Sequence, residues 1–150
     1  MQNGRTIALA MWMIAVSSLV HAKQLAIVTD TANTTTNVSA VDLIKIINVK
    51  IHNWPDGKPV TVIMRDPGAS DMQLVLHRIL NMTSEQARAF VQAHKSGIMV
   101  ADSDDAVLRF VSSNPGAIGI VDLYSLTKNV NVLKIDGKLP VEHGYLLSGN

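Results

Sequence analysis

The stretch P-V-T-V-I-M-R-D-P-G-A-S-D-M-Q-L-V-L (59–76) decides the fold class. Its opening P-V-T-V-I-M is apolar and β-branched, which predicts a strand, and Asp66-Pro67-Gly68 closes it with turn chemistry. Ser70 and Gln73 then stand at the S-x-x-Q spacing of a capping box, and Met72, Val75, Leu76, Ile79 and Leu80 recur at helical period. Strand, tight loop and helix in that order form the repeating unit of an α/β fold with a largely parallel sheet.

The same alternation continues on both sides. Upstream, Leu25 to Val28 reads as a strand, Thr31 to Asn37 as a polar loop, and Ser39 as the N-cap of a helix whose apolar face is Val41, Leu43, Ile44, Ile46 and Ile47. Asn53-Trp54-Pro55-Asp56-Gly57 is a turn. Downstream, Thr83 and Gln86 repeat the capping box for a helix ending near His94-Lys95, before Gly97. Ile98 to Val100 is either a short strand or an extended connection. Asp102 to Val111 is a helix with acidic residues in its first turn and Arg109 near its end, a charge order that suits the helix dipole. Asn114-Pro115-Gly116 turns into a strand over 117–121, a second strand is expected over 131–135 before the tight turn Asp136-Gly137, and 139–150 reads as extended.

Composition narrows the function classes. The chain has 150 residues with 47% hydrophobic content, enough for one domain with a real core. Its 13 Lys and Arg against 12 Asp and Glu give a net charge of +1, which argues against nucleic acid as a partner. The absence of cysteine excludes disulfides, iron–sulfur clusters, thiolate zinc sites and a cysteine nucleophile. Aromatic residues at 4% leave little for stacking platforms.

The N-terminal segment reads as an export signal. Arg5 supplies a positive charge, Ile7 to Val20 is an apolar run, and Val20-His21-Ala22 ends in a small residue of cleavage-site type. Residues 1–22 are therefore expected to be removed, leaving a domain over 23–150 in the periplasm; the alternative is an uncleaved N-terminal anchor. A span would need about 20 apolar residues, more than this run supplies. A lipoprotein is excluded, because no cysteine follows the run.

Chemistry-bearing motifs are few. The histidines at 21, 52, 77, 94 and 143 form neither H-x-x-x-H nor H-E-x-x-H, so no local metal pair is expected, and no cofactor motif is present. The sequence lacks G-x-S-x-G, G-x-G-x-x-G and the P-loop pattern. Asp102, Asp104 and Asp105 are explained by the helix dipole without catalysis. The loop after the strand over 59–64 does have chemical logic, because α/β proteins bind anions at the carboxyl ends of parallel strands. There Arg65 would present a charged fork and Ser70 a hydroxyl. The competing reading is that Ser70 only caps the helix and Arg65 only pairs with Asp66. Asp66 and Asp71 also place negative charge where an anion would sit.

Several stretches together resemble the phosphate-binding, type II periplasmic solute-binding proteins of ABC transporters. They are Leu25 to Val28 with V-S-A-V-D-L-I-K-I-I (38–47), the turn W-P-D-G-K-P-V (54–60), the loop R-D-P-G-A-S (65–70), N-P-G-A-I-G-I-V (114–121) and V-L-K-I-D-G-K-L-P (132–140). The resemblance implies a single lobe of that fold, with a mostly parallel central sheet flanked by helices. It implies a solute-binding-like component rather than an enzyme, with phosphate or another small oxyanion as ligand and an ABC transporter permease as partner. Arg65 would contact the anion, Ser70 would donate at the helix start, and Asp66 would accept from a protonated oxyanion. Members of the family are two-lobed clamps, and this chain looks like the second lobe. The family's Ser-Gly-Thr reads Ala69-Ser70-Asp71 here, which removes a hydroxyl and a glycine and adds a carboxylate. A homodimer could supply the missing wall. The rival reading is a ligand-less interaction or accessory module of another periplasmic protein, retaining the fold.

Overall fold

A computed structural model describes residues 23–149. The expected export signal, residues 1–22, lies outside the described residues. The chain runs β1 (Leu25–Asp30), β2 (Asn37–Val38), α1 (Ala40–Ile47) and β3 (Thr61–Arg65). A broken helical segment follows, built from a 3₁₀ turn (Ser70–Met72), α2 (Gln73–Val75) and a π-turn (Leu76–Leu80). Next come α3 (Ser84–Ala93), β4 (Ile98–Ala101), α4 (Asp104–Ser113), β5 (Ala117–Asp122), a 3₁₀ turn (Leu123–Ser125), β6 (Val130–Val132) and β7 (Lys134–Ile135).

The central sheet has the order β4-β3-β5-β1-β6. β3 pairs in parallel with β4 and with β5, while β1 lies antiparallel between β5 and β6. Every strand except β1 therefore points one way, which is the mostly parallel α/β sheet expected from the sequence. β2 and β7 form a separate two-stranded parallel pair.

Period-two side-chain alternation divides the sheet between two cores. Leu25 and Ile27 of β1, Val62 and Met64 of β3, and Ile118 and Ile120 of β5 face a large cluster. α1, the broken helical segment, α3, and Tyr145 and Leu147 near the C-terminus complete that cluster. The intervening residues Ala26, Val28, Ile63, Ala117 and Val121 face the opposite layer, where α4 packs through Val107, Leu108 and Val111. Helices on both faces make the strands nearly all apolar, as buried parallel strands require. Tyr145 is buried, and its hydroxyl donates to the Leu25 carbonyl at 2.8 Å, tying the last turns to β1.

Local signals decide most boundaries. Ser39 caps α1 by accepting from the Asp42 amide at 3.0 Å, and Ser103 caps α4 by accepting from Ala106. Thr83 and Gln86 form the complete reciprocal capping box of α3. Ile98 to Ala101 is a full strand, hydrogen-bonded in register with β3.

Four expectations are corrected. The Ser70–Gln73 box does not form: Ser70 is the first residue of a 3₁₀ turn, Ala69 stands at the cap without a side-chain bond, and Gln73 donates to the Ala69 carbonyl instead. The helix expected there is broken, and it ends at Asn81 in a left-handed conformation that closes its last turn. The single strand over 131–135 is split, because the Leu133 amide still bonds to Ile27 of β1 whereas the Lys134 amide bonds to Thr36 beside β2. The chain changes sheets at the buried Leu133. Residues 139–149 form successive turns rather than an extended tail.

Candidate functional site

Parallel pairing brings the carboxyl ends of β3, β4 and β5 to one edge, and antiparallel β1 brings its amino end to the same edge, where Leu25 is opposite Asp122. Arg65 is the last residue of β3. Asp104 opens α4 immediately after β4, Asp122 ends β5, and Lys23 precedes β1. Residues far apart in sequence thus converge where an α/β sheet exposes its loops.

Their side chains form a four-member ionic group. Arg65 Nη1 lies 3.4 Å from Asp104 Oδ1 and 3.6 Å from Asp71 Oδ2. Asp71 Oδ1 accepts from the Lys23 ammonium. Asp104 Oδ2 also accepts from the Ser125 hydroxyl at 2.8 Å and from the Asp122 amide at 3.0 Å. The Asp104 side chain is only 16% exposed, against 24% for Arg65 and 36% for Asp71 and Lys23, so the group is rooted in the fold at Asp104 and opens toward solvent at Asp71. The hydrogen bond from Lys23 holds the Asp71 carboxyl below its ordinary value, helped by the Lys23 and Arg65 charges and by the Ser70 hydroxyl.

Of the three residues singled out from sequence, Arg65 alone lies within this group. Asp66 does not pair with Arg65. Its carboxylate closes its own loop by accepting from the Gly68 amide at 2.7 Å and from Arg88 Nε at 3.2 Å. The Gly68 bond, with the Arg88 guanidinium beside it, holds that carboxyl below its usual range. Ser70 is exposed at the loop tip and caps nothing. Lys23 and Ser125 carry no signal in the sequence, and Asp71 is expected there only as negative charge set against an anion, not as a partner of two cations. Asp104 was assigned to the dipole of α4, and it does sit in the first turn of that helix, but its carboxylate is spent on Arg65, Ser125 and the Asp122 amide. Asp105 pairs instead with Arg109 one turn later.

Among the described residues no group of three His, Cys, Asp or Glu side chains is placed to hold a metal ion, and no helix is long and apolar enough to cross a membrane. A shallow cavity of about 210 Å³ lies beside the loop, lined by Asp66, Pro67, Arg88, Val91, Gln92 and Val100.

No protein-family profile matches the chain. In sequence it is 30% identical over 119 residues to the phosphate-binding protein PstS of Borreliella burgdorferi, a match covering 71% of this chain and 40% of that protein. In structure it superposes on an ABC-type phosphate transport receptor from Vibrio cholerae with a TM-score of 0.71 at 20% identity, covering 86% of this chain and 55% of the other. The PstS structure from Borrelia burgdorferi gives a TM-score of 0.69 at 22% identity, over 87% of this chain and 56% of that one. The chain thus spans about half the length of the proteins it matches. In sequence and in fold it is similar to phosphate-binding proteins of ABC transporters over that half.

Proposed function

We propose that this chain is an exported, phosphate-binding-protein-like component of ABC transport, and that its carboxyl sheet edge forms one wall of a site for phosphate or a similar small oxyanion. Processing after Ala22 would release it to the periplasm, where an ABC transporter permease is its natural partner. The observation that carries this reading is the convergence of two cations, Arg65 and Lys23, on a single carboxylate at the ends of the parallel strands. Two cations bracketing one small anionic group have the charge and size that oxyanion recognition uses. Arg65 is the contact residue in this reading and Ser70 a hydroxyl within reach of the same edge, while Asp66 acts by holding the loop closed. The function is binding, with no covalent step.

The test is thermal unfolding with phosphate, against chloride and sulfate at matched ionic strength. A ligand at 100 times its dissociation constant adds about 2.7 kcal/mol. The expected result is a phosphate-selective rise of several degrees that Arg65→Ala removes. No selective rise at millimolar phosphate would overturn the receptor reading for the wild-type chain.

A second reading is favoured by one observation: Arg65 already faces two carboxylates, Asp71 and Asp104. On that reading the chain is an interaction or accessory module that retains the fold without the ligand, and the remaining wall comes from another periplasmic protein or a second copy.

A further inference from the structure

We propose that Asp71 is a built-in counter-anion, occupying the oxyanion position between Lys23 and Arg65, so that an external ligand binds only by displacing it and more weakly than the two cations alone would allow. This rests on the reading of Arg65 as the oxyanion contact. The two oxygens of the Asp71 carboxylate are divided between the two cations, Oδ1 toward Lys23 Nζ and Oδ2 toward Arg65 Nη1 at 3.6 Å. One carboxylate therefore stands where a small oxyanion would bridge the same pair.

The surrounding charges make this occupancy decisive. Asp104 balances one of the two positive charges and is fixed by the Asp122 amide and the Ser125 hydroxyl, so it stays in place. Asp71 balances the other, so the four side chains sum to zero net charge and the pull on an incoming anion is weaker than that of the cations alone. Asp66 takes no part, since its carboxylate is turned toward Gly68 and Arg88. Removing Asp71 alone would leave the Lys23, Arg65 and Asp104 side chains with one net positive charge.

Asp71 is also able to leave. It sits on a single 3₁₀ turn whose first residue lacks a side-chain cap, and its side chain is 36% exposed. A change of side-chain rotamer carries the carboxylate to water without disturbing the core. Because the competitor belongs to the same chain, it acts at high effective concentration, and an external oxyanion must always displace it. The lowered Asp71 pKa agrees with a carboxylate that stays charged in this position.

The experiment compares inorganic phosphate binding by calorimetry for the chain as recovered from the expressing cell, and for Asp71→Ala, Asp71→Asn, Arg65→Ala and the Arg65→Ala/Asp71→Ala double variant. Circular dichroism melts in chloride check that each is folded, and the near-isosteric Asp71→Asn carries the test if the alanine variant is not. The expected result is at least tenfold tighter phosphate binding in both Asp71 variants, with the gain abolished by Arg65→Ala. Unchanged affinity in both Asp71 variants, with wild-type binding still lost in Arg65→Ala, would overturn the counter-anion while leaving the oxyanion wall standing. A gain that survives Arg65→Ala, or no phosphate binding by any variant, would overturn both.

Discussion

The indole N–H of Trp54 donates to the carbonyl oxygen of Gly116 at 2.9 Å in the buried core, joining the turn before β3 to the turn before β5. The Gly116 amide in turn donates to Asp30 Oδ1 at 3.0 Å, at the end of β1. Gly116 has a φ of +86°, and a Cβ there would lie 2.2 Å from the Pro59 carbonyl oxygen. One glycine is thus the junction at which three neighbouring strands are tied together.

Trp54→Phe removes the donor and part of the indole volume. The Gly116 carbonyl keeps a longer bond from the Thr61 amide at 3.3 Å, so the oxygen is not left alone. The expected loss is about 1–3 kcal/mol, read as a lower urea midpoint with an unchanged slope.

Gly119→Ala tests how α4 is seated. A Cβ at this position would lie 2.6 Å from Val107 Cγ1 and 2.9 Å from Val111 Cγ2, both on the buried face of α4. The helix must move off the sheet, at an expected cost of about 1–3 kcal/mol. Because Asp104 opens α4, the Arg65–Asp104 contact should loosen as well, and the Arg65 side-chain resonances in NMR should shift more than those of Arg88.

Thr29→Val is expected to be neutral or stabilising, by up to about 1 kcal/mol. Thr29 is fully buried in β1, and its hydroxyl has no hydrogen-bond partner, so the substitution replaces an unsatisfied polar atom with a methyl group. Thermal unfolding checks this, and a drop of several degrees would contradict it.

Acid should weaken the fold through Asp71 and Asp66. Both carboxyls titrate below the ordinary value of 3.8 in the folded chain, so the unfolded chain binds protons first as pH falls. Their contribution is fully present above about pH 4 and is lost as the pH drops through their lowered values. Both side chains are more than a third exposed, so solvent screening keeps the effect small. Urea midpoints measured from pH 5 to pH 2 should fall, and Asp71→Asn should flatten the curve.

Much of this fold is legible in local sequence. The apolar, β-branched run before Arg65, the Ser39 cap and the Thr83–Gln86 box each depend on neighbours within a few residues, and all appear where period and capping rules place them. The S-x-x-Q at Ser70 shows the limit of such rules. The same spacing as at Thr83 gives no cap, because the chain between Asp66 and Met72 is already committed to a loop closed by the Asp66 carboxylate and a 3₁₀ turn.

Arg65 was recognisable as the chemical residue of this edge because strand, loop and helix follow one another in the sequence. Which groups answer it was not recognisable. Asp104 lies 39 residues further along the chain, and Lys23 lies 48 residues from Asp71. Their meeting requires β3, β4 and β5 to run parallel and β1 to enter antiparallel between β5 and β6. Strand order and direction are set by the packing of whole faces against α1, α3 and α4, a long-range property that no local window contains. Local residue pattern therefore settled most of the elements and the candidate cation, while tertiary packing broke the helix after Ser70, split the strand at Leu133 and brought Asp104 and Lys23 to the same edge.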